Sequence, residues 1–227
     1  MHKSCIMAKW LFTWILIVLF FGGCAKWGHG PQEEETPARL MREGMEYRER
    51  GHYEAATEAF QKIKDRYPYS KFAVDAELKM ADALFERLLY DEAFDAYSEF
   101  ERLHPKNPNI PYIIYQKGMC HFKQVSTVDR DQSHTLQAKE ELERLVKKFP
   151  NSEYTNRAAR KIRKCYMNLA EHELYVGHFY YKMNNYRAAM GRYRHVLERY
   201  PDLGQYHEAL EFLNKCKAQF TGEQKSR

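Results

Sequence analysis

One spacing pattern constrains this chain more than any other: a glycine followed at fixed intervals by aromatic, small and proline residues. Gly51 is followed by Tyr53, Ala56, Phe60 and Pro68. The glycine allows a tight turn, the alanine lets two helices cross closely, and the two rings fill the space around that crossing. The proline ends the helix, because it has no N–H and its ring clashes with the preceding turn. The stretch therefore predicts the second helix of a helical hairpin.

The first helix of this hairpin is predicted just upstream. Leu40, Gly44 and Tyr47 stand there at the spacing typical of the first helix of a tetratricopeptide (TPR) repeat. The pattern recurs three times, at Tyr90, Ala93, Tyr97 and Pro105, then at Gly118, Ala138, Leu142 and Pro150, then at Gly177, Tyr180, Asn184, Tyr186, Ala189, Tyr193 and Pro201. We therefore expect an all-α fold, a TPR-type superhelix of helical hairpins, or α-solenoid.

The array is expected over residues 38–220, with repeats at about 37–70, 74–107, 111–152 and 153–203. A final helix is expected over 205–220 and a disordered tail over 221–227. The two halves of the third repeat lie too far apart for the template, which predicts an insertion around Gln124–Ser133. The fourth repeat is too long. Its spare residues Glu153–Leu169 contain no Gly or Pro, which predicts one long helix.

The N-terminus has the pattern of a lipoprotein signal peptide. Lys3 and Lys9 precede the apolar run Trp10–Phe21, which is too short to span a bilayer comfortably. Gly22, Gly23 and Cys24 then resemble a lipobox, so residues 1–23 are expected to be removed and Cys24 to carry covalent lipid. Residues 24–37 are expected to form a lipidated flexible tether. A plain signal peptide or a short membrane anchor is the alternative.

Charge and composition favour a protein-binding role over catalysis. Basic residues number 36 against 31 acidic ones, a balance that does not suggest a nucleic-acid partner, which export would also exclude. The ten histidines show no ligand spacing, and the chain has no Gly-rich phosphate loop. We therefore expect no enzyme, metal site or cofactor. Cys120, Cys165 and Cys216 form no Cys-x-x-Cys pair and are expected to be buried core residues.

One stripe of positive charge stands out in the predicted long helix. Arg157, Arg160, Lys161 and Lys164 follow at i, i+3, i+4 and i+7, so they share one helix face. The stripe is either a solvated face or a docking surface for an acidic partner domain or lipid headgroups.

The first helices of TPR hairpins line a concave groove, where aromatic and Met side chains suit an extended or helical apolar peptide. The template places these residues on the groove: Met41, Met45, Arg48, Leu78, Asp82, Phe85, Tyr112, Tyr115, Met119, Phe122, Glu171, Leu174, His178 and Tyr181. The alternative is that about half of them pack against the neighbouring helix, Leu78 and Leu174 above all.

Several of these segments together resemble the BamD family, the TPR lipoproteins of the outer-membrane β-barrel assembly machine. The resemblance is carried by Arg66–Ser70, Arg102–Tyr112, Tyr115, Gly118, Asp129–Asp131, Phe149–Tyr154, Leu169–Glu173, Tyr180–Tyr181 and Arg199–Pro201. Two departures are a short insertion before Asp129 and a chain that stops soon after the helix Tyr206–Phe220.

The resemblance implies a lipid-anchored protein of the outer membrane that faces the periplasm. It implies binding to the POTRA domains of a BamA-like barrel protein and capture of unfolded outer-membrane proteins, whose β-signal commonly ends in an aromatic residue. The family's BamA-binding end corresponds to the basic stripe together with Arg187, Arg192 and Arg194. The alternative function is a periplasmic TPR scaffold lipoprotein linked to peptidoglycan or cell division.

Overall fold

The computed structural model describes residues 35–201 and 203–225 of the chain. The expected signal peptide, Cys24 and almost all of the expected tether lie outside these residues. Over the described residues the chain forms nine α-helices. They are α1 (Pro37–Glu49), α2 (Tyr53–Arg66), α3 (Ala73–Glu86), α4 (Tyr90–Leu103), α5 (Ile110–Phe122), α6 (Ser133–Lys148), α7 (Thr155–Lys182), α8 (Tyr186–Arg199) and α9 (Gln205–Lys225). The prediction of an all-α fold of TPR-type hairpins is confirmed.

The closest crossings within the hairpins lie at glycines, as the motif requires. A Cβ on Gly44 would lie 2.5 Å from the Phe60 ring, and a Cβ on Gly177 would lie 2.6 Å from the Tyr193 ring. In the third hairpin Gly118 makes the same close approach to Leu142. Any larger residue at these glycines would push the two helices apart.

The turns inside three hairpins share one left-handed residue. Gly51 has φ 76°, and Leu88 and Asn184 occupy the same place in their own hairpins with φ 64° and 57°. Glycine and asparagine tolerate this conformation, whereas a leucine there is strained. Each second helix from α2 to α8 then ends two residues before a proline: Pro68, Pro105, Pro150 and Pro201.

Helix α7 is the first helix of the fourth hairpin and is longer than the first helices of the other hairpins. It contains 28 residues, whereas α1, α3 and α5 contain 13, 14 and 13. Its first half packs along α6 and its second half along α8, and α9 packs on α8. The predicted disordered tail is wrong for Thr221–Lys225, which continue α9. Glu223, Gln224 and Lys225 are good helix formers, whereas Thr221 and Gly222 before them have lower helix propensity.

The insertion of the third hairpin is an ordered loop over residues 123–132. The buried Gln132 donates from Nε2 to the carbonyls of Thr127 at 3.1 Å and Arg130 at 2.9 Å. From α7, Asn168 donates to Gln132 Oε1 at 2.8 Å, and His172 Nδ1–H donates to the Val128 carbonyl at 2.6 Å. The loop is therefore held to the middle of α7.

Candidate functional site: the first-helix face and the basic surface of α7

A buried carboxylate lies at the centre of the predicted groove. Asp82 on α3 is 4% exposed. Its Oδ1 accepts hydrogen bonds from the hydroxyls of Tyr97 at 2.8 Å and Tyr112 at 2.7 Å. Burial raises the pKa of Asp82, and the two phenol hydrogen bonds and the charge of Arg48 oppose that rise. This arrangement holds Asp82 as the polar centre of the face.

Arg48 extends this centre to the first hairpin. Its guanidinium makes two parallel hydrogen bonds of 2.7 Å to the Glu86 carboxylate, and its Nη1 lies 3.7 Å from Asp82 Oδ2. Gln116 Nε2 donates to the Tyr112 hydroxyl at 3.0 Å on the other side. Three successive first helices, α1, α3 and α5, are thus joined by side chains. Arg48 and Tyr112 are therefore members of a structural network.

An aromatic cluster covers the next part of α5. The Tyr154 ring lies 5.6 Å from the Tyr112 ring and 5.5 Å from the Tyr115 ring. The Arg157 guanidinium lies 5.2 Å above the Tyr115 ring, and Lys161 Nζ lies 4.5 Å above the Phe122 ring. The structure thus joins two sets of predicted site residues, the aromatic groove residues of α5 and the basic stripe of α7.

This contact corrects part of the groove prediction. Tyr115 is 6% exposed and Met119 is 8% exposed, so neither forms an open surface. The physical reason is that the first half of α7 stacks on α6 and its side chains reach over α5. Met41 is also buried, at 9% exposure, in the core of α1, α2 and α3. Leu78 and Leu174 are buried as well, as the alternative interpretation held.

The remaining groove residues do not form one continuous face. Met45 packs against the N-terminal core cluster, and Phe85 meets Tyr90 edge to face at 5.2 Å in the central cluster. Tyr181 belongs to the C-terminal cluster, where its ring lies 5.5 Å from that of Phe212. Partly exposed groove residues are therefore distributed over three packing clusters.

The four residues of the basic stripe lie on one face of α7. Arg157, Arg160 and Lys164 are exposed, and Lys161 is partly buried. Burial lowers the pKa of Lys161, and the like charges of Lys164, Lys123 and Arg157 lower it further. Among the described residues no carboxylate lies within ion-pair distance of this stripe.

The three arginines of α8 separate into two kinds. Arg187 and Arg194 are exposed and, being seven residues apart, share one face. Arg192 Nη1 lies 3.1 Å from Glu173 on α7, so its charge is already paired within the chain. The α7 stripe also ends at Lys164, about 27 Å along the helix axis before α7 ends at Lys182. The predicted contact residues thus form two patches rather than one.

Sequence reasoning missed a charge network in the centre of the molecule. Lys117 on α5 lies 3.2 Å from Glu101, and Arg144 on α6 lies 2.6 Å from both Glu101 and Glu141. Burial tends to raise the pKa of Glu101, but the hydrogen bonds and charges of Arg144 and Lys117 outweigh it and lower that pKa.

One signal could have found part of these contacts. Several ion pairs join residues about one repeat apart: Arg48 and Glu86 are 38 residues apart, and Glu54 and Arg87 are 33 apart. Opposite charges that lie about one repeat apart in the sequence could therefore have indicated these ion pairs. The Glu101–Arg144 pair, 43 residues apart, is displaced from that interval by the loop insertion.

Metal and membrane-spanning features are absent from the part of the chain that the structure describes. No group of three or more His, Cys, Asp or Glu side chains there is placed to hold a metal ion. No helix among those residues is long and apolar enough to cross a membrane. Cys120, Cys165 and Cys216 are buried thiols, and burial raises the pKa of Cys165 to about 11.

The hairpins and their glycine crossings define a repeat protein of the TPR class. The sequence matches the outer membrane lipoprotein family YfiO over residues 33–227. It is 33% identical to the outer membrane protein assembly factor BamD of Rickettsia prowazekii over 204 residues, which cover 90% of this chain and 81% of that relative. The BamD of Caulobacter vibrioides is 33% identical over 199 residues, which cover 86% of this chain and 65% of that relative. The chain therefore belongs to the BamD family of outer membrane protein assembly factors.

Solved TPR structures are more distant. A TPR-like kinesin light chain protein of Podosopora anserina superposes with a TM-score of 0.47 at 16% identity, covering 83% of this chain and 98% of that one. A likeness of this degree adds nothing to the family assignment.

Proposed function

We propose that this chain is a non-enzymatic assembly factor that binds the POTRA domains of a BamA-like barrel protein. It captures unfolded β-barrel proteins and presents them for insertion into the outer membrane. It faces the periplasm, is held to the outer membrane by lipid on Cys24, and uses no cofactor and no nucleic acid.

The observation that carries the BamA-binding proposal is the unpaired positive charge of α7 and α8. Arg187 and Arg194 stand exposed on one face of α8, with no carboxylate at ion-pair distance among the described residues. Guanidinium groups suit carboxylate partners, because their planar fork makes two parallel hydrogen bonds. The α7 stripe adds a second positive patch. Both fit an acidic face of a partner domain.

Charge reversal tests this assignment. The double variant Arg187→Glu, Arg194→Glu should recover about tenfold less BamA-like protein from detergent-solubilised membranes, since each rim charge contributes up to about 1 kcal/mol. Arg192→Glu is a poorer test, because it would place a second carboxylate beside Glu173.

The matched control is Arg42→Glu, Arg102→Glu, which reverses two exposed arginines on α1 and α4. Equal recovery of the BamA-like protein with the two double variants would refute the role of Arg187 and Arg194 in binding it. Recovery of a cell-wall or division protein in place of a barrel protein would favour the scaffold function.

Client capture is proposed for the groove residues that stay partly exposed: Met45, Arg48, Phe85, Tyr112, Phe122 and Tyr181. Phe85→Ala should reduce recovery of unfolded β-barrel proteins with the chain from detergent-solubilised membranes. An aromatic anchor contributes roughly 1.5–3 kcal/mol when it is buried by a ligand. Tyr47→Ala, at an exposed ring, is the control. An equal loss of client binding in Phe85→Ala and Tyr47→Ala would contradict the proposed role of the groove in client capture.

The lipid anchor is tested in the same membranes. Cys24→Ser should abolish incorporation of radioactive palmitate and leave the protein unprocessed or mislocalised. Label persisting on the variant would exclude Cys24 as the attachment site.

A further inference from the structure

A cleft lies along α7, the longest helix of the described residues. Because α7 is 28 residues long, α6 packs on its first half and α8 on its second half. Between the ends of these two second helices, one face of α7 is left uncovered. The cleft there has a volume of about 340 Å³.

The floor of this cleft is apolar and partly aromatic. Ile162 and Tyr166 of α7 line it together with Val146 of α6, and Tyr200 and Leu203 come from the segment after α8. The Tyr166 and Tyr200 rings meet edge to face at 6.0 Å. The Tyr166 hydroxyl donates to Glu143 at 2.6 Å, so its ring is fixed in the wall. This floor offers a preformed place for an apolar side chain.

Two arginines also line the cleft. Arg163 of α7 and Arg199 at the end of α8 are both exposed, and neither has an ion pair or hydrogen bond to a side chain among the described residues. Several arginines of the first three hairpins differ in this respect, since Arg48, Arg87 and Arg144 are each paired with a glutamate. Two unpaired guanidinium groups beside an apolar floor match a ligand that carries a carboxylate next to an apolar group.

We propose that this cleft binds a short segment of a partner protein in which an aromatic side chain lies next to a carboxylate. The ring lies on Ile162 and Tyr200, and the carboxylate is held by Arg163 and Arg199. The cleft volume is at the lower end of the range for ligand pockets, about 300–1,000 Å³, which suits one or two side chains. The surfaces proposed for POTRA binding and client capture do not include this cleft, so the inference goes beyond the proposed function.

A small fluorinated peptide tests the site directly. The probe is acetyl-Asp-para-fluorophenylalanine-amide, observed by fluorine NMR with the full chain in lipid nanodiscs, and empty nanodiscs of the same lipid are the blank. The wild-type chain should broaden and shift the probe signal. The double variant Arg163→Gln, Arg199→Gln should weaken binding by at least about tenfold, because both guanidinium groups lose their charge-assisted hydrogen bonds to the probe carboxylate.

Controls on both molecules separate the two interactions. Arg42→Gln, Arg102→Gln removes two exposed arginines away from the cleft and should leave probe binding unchanged. Ala159→Leu, at an exposed position of the cleft wall, should block the probe without disturbing helix content. The Asn analogue of the probe should bind about tenfold more weakly, and an Asp-Gly peptide should not compete.

Three results would overturn the proposal. The first is a probe signal equal to that of empty nanodiscs. The second is equal binding of the Asp and Asn probes, which would remove the role of the arginines. The third is displacement of the probe by decanoate at concentrations where the Asp-Phe peptide without fluorine fails, which would make the cleft a lipid site.

Discussion

Charged residues in two neighbouring regions of this molecule are arranged in opposite ways. Between α4 and α6, Lys117 is buried and Arg144 is partly buried, and both pair with the carboxylates of Glu101 and Glu141. On the first half of α7, the cations from Arg157 to Lys164 have no carboxylate at ion-pair distance among the described residues. The first arrangement stabilises the stack of hairpins, and the second costs stability through like-charge repulsion. The contrast supports the proposal that the α7 cations bind another molecule.

The largest expected effect comes from removing the shared carboxylate. Glu101→Gln should lower the free energy of unfolding by about 2–3 kcal/mol, because it leaves the buried Lys117 and the partly buried Arg144 with one remaining partner. This is below the 3–5 kcal/mol typical of fully buried pairs, since Arg144 keeps some solvent contact. Urea unfolding followed by circular dichroism measures the difference.

The matching change on α7 is made at Lys164. Lys164→Gln removes an exposed, unpaired charge and should alter the free energy of unfolding by less than about 0.5 kcal/mol. Losses of similar size in Glu101→Gln and Lys164→Gln would mean that both regions have the same structural role.

The same contrast predicts a difference in pH dependence. The pKa of Glu101 is lowered in the folded state, so the folded chain binds fewer protons at this residue than the unfolded chain does around pH 4.5. The stability that Glu101 contributes is therefore complete above about pH 4.5 and is lost as the pH falls through the lowered folded value.

The gap in unfolding free energy between the wild type and Glu101→Gln should accordingly be constant from pH 6 to 8 and should narrow at lower pH, over a range set by the shift. Glu92→Gln, at an exposed carboxylate, should show almost no gap at any pH. If the difference in unfolding free energy between the wild type and Glu101→Gln instead grew at lower pH, the pKa of Glu101 would be raised in the folded state rather than lowered.

The difference between spacing within one helix and packing between helices explains what the sequence could and could not predict. The hairpins followed from local rules, since Gly44, Gly118 and Gly177 had to face large side chains one helix away. The exposure of Tyr115 could not follow from those rules, because it depends on how far α7 extends beyond α6 and which of its side chains reach α5. Spacing within one helix shows which residues share a face, but it does not show whether another helix covers that face.

The cleft and the intramolecular pairing of Arg192 were unpredictable for a related reason. The excess length of the fourth repeat was readable, and it predicted one long helix. Where the end of α8 then lies against that helix is decided by packing between elements, which the periodicity of one element does not contain. Glu173 likewise meets Arg192 across two helices that are antiparallel neighbours.

A substitution at Lys161 has a small expected effect and is the most informative about α7. Lys161→Met keeps an unbranched side chain on the Phe122 ring and removes a partly buried charge that faces two other cations on its own helix. The lost cation–π contact contributes about 0.5–1 kcal/mol at such a site. A sulfur–aromatic contact replaces part of it, and the relieved repulsion returns about 0.2–0.5 kcal/mol for each like-charge pair. Burial and the like charges of Lys164, Lys123 and Arg157 lower the pKa of Lys161, and we expect this cost of the charge to outweigh the lost contact with Phe122.

Lys161→Met should therefore raise the free energy of unfolding by about 0.5 kcal/mol at pH 7 while weakening recovery of the barrel protein. Because the folded pKa lies below the ordinary value of 10.5, the cost of the charge is present at neutral pH and disappears as the pH rises through the folded value. The gain from the substitution should shrink in the same way in unfolding experiments from pH 7 to 10.5. Arg42→Met, which removes an exposed charge elsewhere, should give no gain at either pH. If Lys161→Met instead destabilised the chain, the contact with Phe122 would outweigh the repulsion, and the stripe would be part of the fold rather than a surface kept for a partner.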